Sequence, residues 1–281
     1  MKKLIPALAV TALASAALLG YGAVKNGLIN VSRGFDVPDE TIEIDGDTYR
    51  MTFCDDFDGK KLDTRKWSLC PQWERGNVGG HWSDDCVSLD GAGRLVLKTK
   101  LAEDGTPLTG AIRSKGKFEQ SHGYFEARCR LQSAHGMWTA FWLMCEEEHK
   151  IGNGAKDGAE IDIYESYSLD DAAINHAVHW DGYGEEHRCW AKAKSGTSCY
   201  DGKFHTFGLL WTDDAYIFYI DGREVRRLDA SDAEYPGCCE PATYLKLSVE
   251  AGTWAGAIRP EELPDDSLTV DYVKVYQKTE N

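Results

Sequence analysis

From residue 35 onward the pattern of apolar and polar side chains reads as β almost throughout. Phe125, Ala127, Cys129 and Leu131 alternate with Glu126, Arg128 and Arg130, the signature of a strand with one buried face. Leu245, Leu247 and Val249 alternate in the same way with Lys246, Ser248 and Glu250. Leu95-Val96-Leu97 and Val273-Lys274-Val275 add strands, and Phe204 to Trp211 and Tyr216 to Ile220 read as neighbours. Eight Asp-Gly steps, among them Asp90-Gly91 and Asp221-Gly222, punctuate these runs. Asp-Gly tolerates the positive φ of tight hairpins, so this density suits many antiparallel strands. No amphipathic helix of useful length competes, and no repeat or low-complexity linker divides the chain. The pattern predicts one all-β domain over residues 35–281, a sandwich of two antiparallel sheets.

One strand breaks the alternation in an informative way. In Gly158-Ala159-Glu160-Ile161-Asp162-Ile163-Tyr164-Glu165-Ser166, Glu160 and Asp162 share a face while Ile161 and Ile163 point to the core. Strict alternation sends Glu165 inward with the isoleucines, which is costly for a carboxylate. A β-bulge absorbing one residue near Ile163-Tyr164 returns it to the face of Glu160 and Asp162. Three carboxyls on one face repel unless one keeps its proton, and such a shared proton serves acid/base chemistry. An exposed acidic edge or a cation site would also carry carboxylates at this spacing. The flanking Ile-x-Ile core face makes an edge the poorer explanation.

The N-terminus changes the picture of where the domain works. Lys2 and Lys3 precede an uncharged, Ala- and Leu-rich run from Leu4 to Val24. Residues 1–34 therefore read as an export signal peptide or an N-terminal membrane anchor, with residues 4–24 long enough to span a bilayer. Either way the domain is expected to be secreted or held at the cell surface. Nine cysteines lack the C-x-x-C pairs of a structural zinc site. Export permits disulfides, Cys189 with Cys199 being the most plausible local pair, and an odd count leaves at least one thiol. A formal charge of −15 over 281 residues argues against a polyanionic partner such as a nucleic acid or a heavily sulfated glycan. Nine Trp and thirteen Tyr in so acidic a chain point to a neutral ligand with flat apolar faces, as sugars have.

Upstream of the carboxylate strand lies Gly136-Met137-Trp138-Thr139-Ala140-Phe141-Trp142-Leu143, preceded by Gly123-Tyr124-Phe125-Glu126-Ala127-Arg128. With these segments the chain resembles family 16 glycoside hydrolases, whose E-x-D-x-x-E strand is matched by Glu160, Asp162 and Glu165. The resemblance runs through most of residues 50–277, from Phe53-Cys54-Asp55-Asp56-Phe57-Asp58-Gly59 to Val270-Asp271-Tyr272-Val273-Lys274-Val275-Tyr276. It departs at Leu210, where many members have Glu before the Trp, and in the elaborated His179-Trp180-Asp181-Gly182-Tyr183-Gly184. The resemblance implies a concanavalin-like β-jelly roll and a retaining double displacement. Glu160 is then the nucleophile, Glu165 the acid that later activates water, and Asp162 the residue between them.

Trp138 and Trp142 are four apart and share a strand face, which should be the cleft. Trp73, Trp180, Tyr183 and Trp254 lie in Gly-rich, polar contexts that read as loops able to stack on sugar rings. His179 resembles the family histidine beside the nucleophile, and Arg75 and Asn77 are candidates for hydrogen bonds to sugar hydroxyls. Asp56 and Asp271 resemble the family's structural calcium site; no cofactor is expected for catalysis. The expectation is a monomeric endo-acting hydrolase of β-1,3- or mixed β-1,3/1,4-glucan. The alternatives are a transglycosylase or agar-type galactanase of the same family, or a non-catalytic carbohydrate-binding jelly roll.

Overall fold

The computed structural model describes residues 34–72, 80–166, 174–191, 199–231, 237–252 and 255–280. The export segment therefore lies outside the described residues, and no described helix is long and apolar enough to cross a membrane. The first strands are β1 Thr41–Ile44, β2 Asp47–Asp55, β3 Ser68–Leu69, β4 His81–Trp82, β5 Val87–Leu89, β6 Leu95–Leu101, β7 Pro107–Thr109, β8 Ala111–Arg113 and β9 Glu119–Gln120. The others are β10 Gly123–Arg130, β11 Met137–Met144, β12 Glu160–Ser166, β13 Asn175–Trp180, β14 Arg188–Trp190, β15 His205–Trp211, β16 Ala215–Ile220, β17 Arg223–Asp229, β18 Thr243–Ala251 and β19 Ser267–Lys278.

They form two sheets. One runs β17-β16-β15-β10-β19-β6-β7-β4, with β1, β2 and β5 attached; the other runs β14-β13-β12-β11-β18-β8-β3, with β9 on β18. Pairing is antiparallel except between β4 and β7, a short parallel contact that the alternation does not encode. The inner faces meet in the core expected from the pattern: Phe125, Ala127 and Cys129 of β10 and Val273 and Val275 of β19 face Phe141 and Leu143 of β11 and Ile161 of β12. Asp-Gly turns close hairpins as expected. Between β16 and β17, Asp221 (φ 50°) and Gly222 (φ 71°) both take positive φ and join Ile220 to Arg223, the two-residue turn whose twist matches the strands. In β18 every residue is buried, including Lys246, Ser248 and Glu250. Its polar face is therefore not a solvated surface but the floor of something covered.

The bulge in β12 is where the carboxylates demand it. Trp142 pairs with Asp162 and Phe141 with Tyr164, leaving Ile163 without a register partner. Ile163 and Tyr164 are both buried in the core. The Ile163 carbonyl accepts a 2.7 Å hydrogen bond from His176 Nδ1. Burial holds His176 neutral by pushing its pKa down to about 4, so Nδ1 carries the proton that the bulge needs.

The expected Cys189–Cys199 pair is not joined. All nine cysteines are free, Cys189 being exposed and Cys199 buried in the core.

Candidate active site

Register across β13-β12-β11-β18 places opposite residues on one face and assembles the site from three adjacent rungs. The first holds Asn175, Glu165, Ala140 and Ser248; the second Ala177, Asp162, Trp142 and Lys246; the third His179, Glu160, Met144 and Tyr244. The bulge puts Glu165 on this face with Glu160 and Asp162. Asp162 and Glu165 are 3% and 8% exposed, so burial acts on their charges.

Each carboxyl has its own partner. Asn175 Nδ2 donates to Glu165 Oε2 over 2.6 Å. His179 Nε2 lies 3.4 Å from Asp162 Oδ2. The Tyr183 hydroxyl donates to Glu160 Oε2 over 2.5 Å. Ligand atoms of Glu160, Asp162 and His179 all lie within 4.8 Å of one another. Burial, with the Asp162 charge added, pushes Glu160 up to about 7. The same two causes raise Glu165 well above the ordinary carboxylate range. Burial opposes a charge on His179, but the Asp162 hydrogen bond, the Cys189 contact and the charges of Asp162 and Glu160 carry its pKa up to about 12. The histidine is therefore an imidazolium, and its Nδ1 donates to His187 Nε2 at 3.0 Å.

The remaining candidates divide. Trp138 is half-buried on the same face, opposite Glu250. Trp142 shares the face but is buried: its Nε1 donates to Ser248 Oγ at 3.1 Å, and Lys246 Nζ sits 3.5 Å from the ring centre. It is floor rather than a free stacking platform. Tyr183 is 59% exposed and leans over Glu160. Trp180 corrects the expectation of a loop residue over the cleft. It ends β13 and packs in the core, because its neighbour His179 already points to the carboxylates and adjacent strand residues face opposite ways. Trp73, Arg75, Asn77 and Trp254 lie outside the described residues.

Asp56 and Asp271 do not fit the expected calcium. Asp271 Oδ2 accepts from Arg128 Nη1 at 2.5 Å, and its Oδ1 lies 4.0 Å from Arg94 Nε. Asp56 is exposed. A divalent ion held through Asp271 would have to displace a guanidinium.

Pattern reading missed Asn175, His187 and Lys246. Lys246 stands at a polar position of an alternating strand, so the parity that marked its face carried the signal, whereas Asn175 opens a strand, Asn-His-Ala-Val-His-Trp, that does not alternate. His187 belongs to the segment between β13 and β14 and left no periodic trace.

Comparison with known proteins agrees with this architecture. Endo-1,3-1,4-beta-glycanase ExsH of Rhizobium meliloti is 26% identical over 171 residues, 60% of this chain and 33% of that protein. The chain thus spans about a third of the length of that relative. Beta-porphyranase E of Zobellia galactanivorans is 26% identical over 240 residues, 79% of this chain and 83% of the relative. The X-ray structure of an endo-beta-1,3-glucanase from Pyrococcus furiosus superposes with a TM-score of 0.71 at 24% identity, covering 87% of this chain and 100% of that one. The family model of glycosyl hydrolases family 16 matches residues 77–274. With the bulged carboxylate strand on the floor of a jelly roll, the chain belongs to glycosyl hydrolases family 16.

Proposed function

We propose that the protein is an endo-acting, retaining β-glycan hydrolase that cleaves β-1,3- or mixed β-1,3/1,4-glucan by double displacement. The observation that carries this is the bulge at Ile163, which brings Glu165 to the face of Glu160 and Asp162 and leaves the two glutamates in unlike surroundings. Glu160, at about 7, is available as a carboxylate near neutral pH and receives the Tyr183 hydroxyl. It attacks the anomeric carbon. Glu165 keeps its proton because burial and the Asp162 charge disfavour ionisation, and it delivers that proton to the departing oxygen. The same group, now ionised, takes a proton from the water that releases the sugar. The Asp162 charge, beside the His179 imidazolium, favours the protonated form of Glu165.

An overall charge of −15 supports a chain of largely neutral sugars over a densely sulfated one. The N-terminal Leu4–Val24 run supports export, so the work is done outside the cytoplasm; cell fractionation recovering the full-length chain from the cytosol would contradict this. Laminarin, lichenan, barley glucan, xyloglucan and agarose digests with product analysis test the substrate. Internal cleavage of the glucans to short oligosaccharides is expected. Products longer than the starting oligosaccharide would instead identify a transglycosylase, and cleavage of agarose alone a galactanase.

A further inference from the structure

The second rung of the cleft floor continues beyond the catalytic strands. From Asp162 it passes through Trp142, Lys246 and Arg113 to Ser68 on β3. Residues opposite one another in neighbouring strands share a face, so two cations stand in line with the carboxylates. Strands lie about 4.8 Å apart, which puts the Arg113 backbone roughly 14 Å from Asp162, three strand spacings and a few sugar rings away. Lys246 is buried, its Nζ 3.5 Å from the Trp142 ring centre and 4.7 Å from that of Trp82. Two indole faces hold the ammonium in place. Arg113 is half-buried, and its Nε is buried with no hydrogen-bond partner among the described residues. Ser68, at the end of the rung, also lines an open groove of about 590 Å³ rimmed by Lys60, Lys61 and Lys117, with Asp84 as its acid.

The row is a local concentration of positive charge in a chain of −15; Lys246 also bears electrostatically on Glu160, so Arg113, further along, is the cation set apart from the carboxylates. A neutral chain's hydroxyls also accept from a guanidinium, but a charged substituent compensates the desolvation of that cation far better. We infer that this arm of the cleft binds an oxyanion substituent, a carboxylate or a sulfate, carried on a β-glycan a few sugars from the cleaved bond. Arg113 supplies the forked donor that matches such a group. Lys246 adds a fixed charge over Trp142. The acidity of the rest of the surface selects for chains in which such substituents are sparse. This inference rests on the glycan-hydrolase reading above and narrows its substrate class.

The test uses the full chain and three series of β-1,3/1,4-glucan oligosaccharides: unmodified, partly oxidised at C6 to the uronate, and partly sulfated. The wild type is expected to cleave one charged series roughly tenfold better in kcat/KM than the neutral series, the scale of one charge-assisted contact. Which series gains tells carboxylate from sulfate. High salt should erode the advantage. Arg113→Gln should bring the charged-to-neutral ratio close to one, and Arg113→Lys should keep part of it; a ratio within one variant is insensitive to how much of it folds. Cleavage of neutral glucan with no gain for either charged series overturns this inference and leaves the glucanase reading standing. So does a gain that survives Arg113→Gln. If glucan of no kind is cleaved, or retards the protein in affinity electrophoresis, the hydrolase reading fails and this inference with it.

Discussion

Removing the hydroxyl in Tyr183→Phe should move the acid limb of the activity profile to higher pH. The Tyr183 hydroxyl donates to Glu160 Oε2 over 2.5 Å, and that bond favours the ionised carboxylate against the burial that pushes Glu160 up to about 7. Hydrogen bonds to charged groups contribute about 1.5–3 kcal/mol. Tyr183 is 59% exposed, so water replaces part of the lost bond, and about 1 kcal/mol is the realistic share. At 1.36 kcal/mol per pH unit, the limb should rise by about 0.7 unit. The sign follows from the role: a nucleophile whose pKa rises is protonated over a wider acid range, so the deficit grows as pH falls and shrinks above neutrality. The assay is kcat/KM against pH on an aryl β-glycoside of a glucan disaccharide, whose good leaving group removes any demand on Glu165 in the first step. A uniform loss at every pH would mean that Tyr183 only touches sugar. An unshifted limb would refute its hold on Glu160.

Other outcomes follow from the same geometry. His176, held neutral at about 4 against 6.5 for a free histidine, should cost the fold about 3 kcal/mol as pH falls through that window, because the unfolded chain takes up the proton first. Denaturant titrations between pH 7 and 4 should show a shallower slope for His176→Gln, and an unchanged slope would contradict the account. Trp180→Ala empties a core site and should destabilise by about 3–5 kcal/mol, read as a lower Tm. Trp138→Ala should leave Tm nearly unchanged and lower kcat/KM on glucan by roughly fivefold, about 1 kcal/mol of ring contact; the reverse pattern in the pair would exchange their assignments.

Period-two patterning carried most of the fold: β10 alternates with one buried face, and β18 alternates in sequence although all of it is buried. It carried the face of the candidate site as well: burying Glu165 beside Ile161 and Ile163 is so unfavourable that a bulge had to intervene, and it falls at Ile163. The same parity would have kept Trp180 out of the cleft, since His179 and Trp180 are adjacent on one strand. A Gly-rich context outweighed it. Lys246 shows a different limit. Alternation marked its face as polar, but only the sheet order, with β11 on one side and β8 on the other, reveals that the face is a covered floor between Trp82 and Trp142. The Cys189–Cys199 pairing failed for a related reason. Nearness in sequence says nothing of side, and one thiol is beside His179 while the other is in the core.

The division of labour between Glu160 and Glu165 is tested most directly by the stereochemistry of azide rescue. On an aryl β-glycoside with a good leaving group, Glu165→Ala still forms the glycosyl-enzyme but lacks the base that activates water. Added azide needs no deprotonation and should release a β-configured glycosyl azide, while polysaccharide remains uncut. Glu160→Ala cannot form the intermediate, so azide attacks directly and should give the α-azide. The α-azide from Glu165→Ala together with the β-azide from Glu160→Ala would reverse the two roles, and full activity in both variants would contradict the carboxylate mechanism altogether.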